Sequence, residues 1–186
     1  MFILRKIYSF LIDTIQSLLL AAAVFLVIYV FFFRPFQVNG ESMHPTFRDS
    51  QYILTSIISL RFHDPEHGQV IVFKAPLDPE KDYIKRVIGI PQDRVSIKDG
   101  YVYLNGNKLD ESAYLKQGIE TYGGTFLGDS QEVTVTEGSY FVLGDNRNYS
   151  SDSREWGFVA KENIIGESFF VYWPLNTIGF VKNPYN

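Results

Sequence analysis

The sequence predicts a mainly β protein: one N-terminal transmembrane helix followed by an antiparallel β body of sandwich or barrel-like form. Three observations carry this reading. Every residue from position 18 to 33 is apolar. After Pro35 the chain breaks into short β-branched and aromatic runs cut by Gly, Pro, Asn and Asp. Two tight-turn dipeptides, Asp99-Gly100 and Asn105-Gly106, separate such runs, and both central positions of the favoured hairpin turn need positive φ.

The helix comes first. Extended back through residues 14–17, the apolar run offers about 20 residues before Arg34-Pro35, enough at ~1.5 Å per residue to cross a ~30 Å hydrocarbon layer. Arg5-Lys6 ahead of it also outlines a cleaved leader. The run is too long for one, and Ala21-Ala22-Ala23 lies inside it rather than at its polar end. A buried core helix would show a polar face, and this run has none. Residues 1–34 are therefore expected to be a tail and a single uncleaved span in the cell membrane. Arg5 and Lys6 favour a cytoplasmic N-terminus, which puts residues 35–186, with no second spanning run, outside the cytoplasm.

In the body, residues 70–73, 83–90, 95–97, 101–104, 133–135, 140–143 and 167–173 read as strands. The two turns make successive hairpins through residues 94–109. Helical pattern is confined to short stretches near 111–117 and 160–164, and the Gly-rich piece 118–129 reads as an exposed loop.

Composition narrows the function. With 186 residues, 46% of them hydrophobic, the chain can bury a core unaided, and without cysteine it has no thiol nucleophile, thiolate metal site or disulfide. Arg5, Lys6 and Arg34 against Asp13 give the first 34 residues a charge of +2, so the remainder carries −6 of the net −4. An acidic body does not suit a sequence-independent nucleic-acid binder.

Three segments could carry chemistry. His63-Asp64-Pro65-Glu66-His67 would chelate an ion if helical, but Pro65 and Gly68 break such a turn and leave a polar surface loop. Ser42, in Gly40-Glu41-Ser42-Met43-His44-Pro45-Thr46, is a turn residue or a nucleophile, and all three histidines stand close enough in sequence to keep a histidine base open. Lys85, in Tyr83-Ile84-Lys85-Arg86-Val87-Ile88-Gly89, shares a strand face with Tyr83 and Val87. A strand lysine ordinarily faces water; one that is buried loses its proton more easily and becomes a usable base.

These segments, with the N-terminal span and Gly144-Asp145-Asn146-Arg147-Asn148-Tyr149-Ser150-Ser151-Asp152-Ser153-Arg154, resemble the type I signal peptidases, membrane-bound Ser–Lys endopeptidases that remove signal peptides from exported proteins. The resemblance runs from the span to about Trp173. It implies Ser42 as nucleophile and Lys85 as general base. It also implies an extended substrate lying as an added strand, with small side chains three residues before and immediately before the cut. Ser150 would orient the lysine amine, Asp152 and Arg154 would form the ion pair holding their loop, and Asp145 and Arg147 would support it. An oxyanion hole would rest on backbone N–H groups at Ser42 and Gly40. The chemistry calls for no metal or organic cofactor. The partners implied are signal peptides of exported preproteins, near the secretion channel, and membrane lipid, without nucleic acid.

Two departures stand out. Many relatives read Pro-Gly-Asp where this chain has Pro91-Gln92-Asp93, so Gln92 is expected either to bear the strain of a positive φ or to change the turn. Many also carry Ser or Thr where this chain has Gly40, which offers no hydroxyl to an oxyanion. Phe36, Phe47, Ile57, Ile58, Leu60 and Phe62 are expected to form either a membrane-dipping surface or core. Two other classes compete: a non-catalytic membrane-anchored relative acting as an assembly or chaperone factor for secreted or pilin proteins, and a self-cleaving Ser–Lys regulator. The first is expected to have lost the serine or the lysine, and the second to carry a DNA-binding domain in place of the span.

Overall fold

The computed structural model describes residues 2–185. The chain divides into two compact units, Met1–Arg34 and Pro35–Asn186.

Helix α1 (Phe2–Phe32) is longer than the apolar run alone suggested. Its 25-residue stretch Ile3–Val27 is long and apolar enough to cross a membrane. The polar residues ahead of the run continue the helix because their hydroxyls find partners within it. Thr14 Oγ1 donates to Phe10 O and Ser17 Oγ to Asp13 O, both at 2.8 Å, which removes the cost of an unpaired group.

Twelve strands are present among the described residues: β1 (Phe33–Gln37), β2 (Tyr52–Ser56), β3 (Val70–Ala75), β4 (Asp78–Gly89), β5 (Arg94–Lys98), β6 (Tyr101–Leu104), β7 (Asn107–Lys108), β8 (Glu132–Thr134), β9 (Ser139–Leu143), β10 (Val159–Ala160), β11 (Ile164–Trp173) and β12 (Gly179–Phe180). One sheet has the spatial order β1-β2-β11-β3-β4-β9-β10, with β12 also on β11, and the other runs β7-β6-β5-β8. Both hairpin turns form as expected, with φ of +51° and +78° at Asp99-Gly100 and +54° and +82° at Asn105-Gly106. Each of the seven expected strands is found. The segment 111–117 is not a regular helix, and a four-residue helix, α2 (Ser153–Trp156), appears instead in the polar 144–154 region.

Period-two alternation builds the core. On β3, Val70 and Val72 pack with Val38, Met43, Phe47 and Ile53, while Ile71 and Phe73 pack on the opposite face with Val87, Tyr140 and Val142. On β9, Phe141 and Leu143 turn toward the smaller sheet and meet Ile88, Val95, Ile97 and Val102. Phe47 is thus core, and Phe36 packs against the same cluster. Ile57, Ile58 and Leu60 are half-buried, and only Phe62 of those six candidates is widely exposed.

Candidate active site

β4 carries two adjacent cations, Lys85 and Arg86, and alternation sends them to opposite faces. Both faces are apolar there, so both are buried, Lys85 to 4% exposure and Arg86 to 1%. Lys85 reaches Ser42: its Nζ donates to Ser42 Oγ at 2.8 Å and to Ile84 O at 2.9 Å, and it lies 5.4 Å from the centroid of the Tyr83 ring. Burial lowers the pKa of the amine from 10.5 to about 8, against an upward pull from the negative charges of Asp152 and Asp145. None of the three histidines bonds Ser42. His63 is exposed, His67 Nε2 meets Asp93 Oδ2 at 2.6 Å, and the His44 backbone N–H donates to Glu41 O.

Ser42 stands in a turn directly after β1. The backbone N–H of Asn146 donates to Ser42 O at 3.0 Å, and a Cβ at Gly144 would come within 2.5 Å of that same oxygen, so only glycine fits there. The N–H of Ser42 has no protein acceptor among the described residues. Gly40, the other expected oxyanion donor, is different. Its N–H donates to Asp49 Oδ1 at 2.6 Å, so that donor is already engaged. Gly40 has φ +86° with open space where a side chain would project, so a hydroxyl-bearing residue would meet backbone strain rather than a clash.

The polar segment after β9 is a web of buried ion pairs. Arg154 donates from Nε to Asp152 Oδ1 at 2.8 Å and from Nη2 to Asp152 Oδ2 at 3.0 Å. Asp152 also accepts from Gly144 N and caps α2. This is the pairing that the resemblance implied. Asp145 and Arg147 are not paired with each other. Asp145 accepts from Arg86 Nε at 2.8 Å and Nη2 at 2.7 Å, and from Thr46 Oγ1 at 2.5 Å. Arg147 donates to Gly144 O at 3.0 Å, to Thr121 Oγ1 at 2.6 Å and to both carboxylate oxygens of Glu111. Ser150 Oγ is buried against Gly144 and makes no hydrogen bond, so the contact with the Lys85 amine implied by the resemblance is not made.

Arg86, Thr46 and Glu111 were missing from the sequence-derived site. Arg86 had a signal, a charge on a strand whose two faces both read apolar. Glu111 had none, being one acidic residue in a weakly patterned stretch.

A cleft of about 750 Å³ opens beside the pair. It is lined by residues 35–39, by residues 81–85 of β4, by Ile53 and Val72 from strands lying between those in the sheet order, and by Ser42 and Ser151. The first part of β4, from Asp78 to Lys85, pairs with β3 alone, since pairing with β9 begins at Arg86. Its second edge is therefore free to bond an extended chain.

The family model described as "Signal peptidase, peptidase S26" matches residues 11–173. The chain belongs to the signal peptidase family. It is 34% identical over 187 residues to signal peptidase IB of Staphylococcus aureus (strain MRSA252), covering 95% of this chain and 96% of that one. It is also 38% identical over 152 residues to a probable signal peptidase I-2 of Synechocystis sp., covering 78% of this chain and 66% of the other. A solved signal peptidase I from Enterococcus faecalis V583 shares 30% identity with a TM-score of 0.46, over 56% of this chain and 97% of that structure. This signal peptidase is a serine endopeptidase, and its substrates are the signal peptides of preproteins.

Proposed function

We propose that cleavage proceeds by a Ser–Lys mechanism, with Ser42 as nucleophile and Lys85 as general base. The observation that carries this is the buried amine 2.8 Å from the hydroxyl with its pKa lowered to about 8. Neutral Lys85 takes the Ser42 proton as Oγ attacks the scissile carbonyl. The resulting ammonium protonates the leaving amine, and water activated by the same amine then releases the acyl-enzyme. The Ser42 N–H supplies an oxyanion donor. In an enzyme tuned to use a second donor, its lack costs ~3 kcal/mol of transition-state stabilisation. Asp145, Arg147, Asp152 and Arg154 hold the 144–154 segment against the pair, and Ser150 supports it by packing beside Gly144 and the Ser42 carbonyl.

The substrate lies as an added strand on the free edge of β4, with small side chains three residues before and immediately before the cut facing the apolar lining. Residues 1–34 anchor the enzyme in the cell membrane by a single span with the N-terminus in the cytoplasm. Residues 35–186 form the extracytoplasmic catalytic domain, working at the lipid surface near the secretion channel. With both serine and lysine present, and adjacent, a non-catalytic assembly or chaperone role has no support.

The test is cleavage of a preprotein by purified full-length variants. Ser42→Ala and Lys85→Arg should each abolish processing while remaining folded, the second because a guanidinium does not deprotonate in proteins. A serine-directed acylating probe should label the parent enzyme at Ser42 and leave Ser42→Ala unlabelled. The kcat/KM of the parent enzyme should rise with pH through a single ionisation near 8, since only the neutral amine acts as a base. Retained cleavage by either variant would remove the assignment.

A further inference from the structure

Glu111 and Tyr114 lie in the stretch between β7 and β8, outside both sheets, yet they are 9% and 6% exposed. A single turn joins them, with the backbone N–H groups of Tyr114 and Leu115 both donating to Glu111 O. That turn grips two guanidiniums. The Glu111 carboxylate takes both terminal nitrogens of Arg147, and the Tyr114 ring centroid lies 4.3 Å from Arg86 Cζ. The Tyr114 hydroxyl locks the turn by donating to Glu111 Oε1 at 2.8 Å and meeting the Tyr185 hydroxyl at 3.0 Å.

From those guanidiniums a continuous set of bonds leads to the nucleophile. Arg147 Nε holds Gly144 O, and Arg86 holds Asp145 through both carboxylate oxygens. The next residue, Asn146, donates its N–H to Ser42 O and its Nδ2 to Glu41 O, each at 3.0 Å. Neither Glu111 nor Tyr114 lines the cleft beside Ser42 and Lys85, so neither touches a substrate bound in it.

We propose that Glu111 and Tyr114 are positioning residues for the Ser42–Lys85 pair, acting through Arg147 and Arg86 on the 144–146 segment that holds the Ser42 carbonyl. The proposal rests on the Ser–Lys reading given above. Its consequence is kinetic. Releasing the brace moves the nucleophile relative to its base, and a misplacement of about 1 Å costs on the order of 100-fold in rate, while the cleft that binds substrate stays intact.

The experiment uses full-length protein in detergent and a peptide spanning a cleavage site, with active sites titrated by a covalent serine-reactive probe. Glu111→Gln should lower kcat per titrated site by at least about tenfold, with KM within about twofold of the parent. In an Arg147→Met background the same change should cost less than about twofold further, because it acts through Arg147. Tyr114→Phe, which keeps the ring over Arg86 and loses only the hydroxyl bonds, should lower kcat by a few-fold, and it decides the matter if Glu111→Gln does not fold. A purely structural role would reduce the number of titratable sites and leave kcat per site unchanged. That result, or a fall in kcat that is fully additive with Arg147→Met, overturns the proposal. Ser42→Ala and Lys85→Met run alongside: if they still cleave, the Ser–Lys reading has failed, whereas dead controls with an unchanged Glu111→Gln count against the brace alone.

Discussion

Four cationic side chains are buried in the body among the described residues, and they fall into two kinds. Arg86, Arg147 and Arg154 each face a carboxylate, from Asp145, Glu111 and Asp152. Lys85 faces none, bonding only the hydroxyl of Ser42 and the carbonyl of Ile84. Burial pushes against the charge at Lys85, Arg86 and Arg147. At Arg86 the bonds to Asp145 overcome it, and at Arg147 the charge of Glu111 does, so the pKa of each is raised rather than lowered. At Lys85 burial prevails and brings the amine down to about 8. Pairing thus holds the three arginines as struts, and its absence leaves Lys85 free to trade a proton.

The largest effect should come from breaking a strut. Asp145→Leu strands the Arg86 guanidinium without its carboxylate, and chemical denaturation should show a loss of about 3–5 kcal/mol. Removing the unpaired cation should do the opposite. At pH 7 the folded chain holds a buried ammonium that the unfolded chain exposes to water, so Lys85→Met should stabilise by about 3 kcal/mol while abolishing cleavage. The sign can be checked against pH. The folded state releases this proton near 8 and the unfolded state near 10.5, so the parent gains stability across that interval and the gap to the variant closes.

Smaller effects lie away from the site. Gln92 has φ +72°, so Gln92→Gly relieves a left-handed strain of about 1–2 kcal/mol, and the greater freedom of glycine in the unfolded chain reduces the measured gain to about 1 kcal/mol. Lys74→Ala removes a half-exposed pair with Asp82 and should change stability by less than about 0.5 kcal/mol. An equal loss from Lys74→Ala and Asp145→Leu would erase the distinction between struts and surface pairs.

What the sequence revealed followed how local each determinant is. The hairpins were legible because Asp-Gly and Asn-Gly accept positive φ by their own chemistry. The seven strands were legible because each is a run of β-branched and aromatic residues set between turn-forming ones. Short strands such as β7, β10 and β12 carry too few residues to show any period, and β1 was hidden behind Pro35, which reads as a break although an edge strand tolerates it. The Asp152–Arg154 pair was implied by the family resemblance, and its two residues are near neighbours in the chain. The partners of Asp145 and Arg147 were not legible, since Arg86 lies 59 positions from Asp145 and Glu111 lies 36 from Arg147. Such pairings exist only once the sheets have closed, and nothing at either position alone announces the other.

The half-paired β4 has a consequence for selectivity. A rim of unspent backbone donors and acceptors asks only that a visiting chain be straight and uncommitted, which any polypeptide meets before it has folded and almost none meets afterward. On the proposed mode of binding, a mature domain is spared because its ladders are already closed, whatever small residues it displays. On that mode the enzyme would read foldedness first and side chains second.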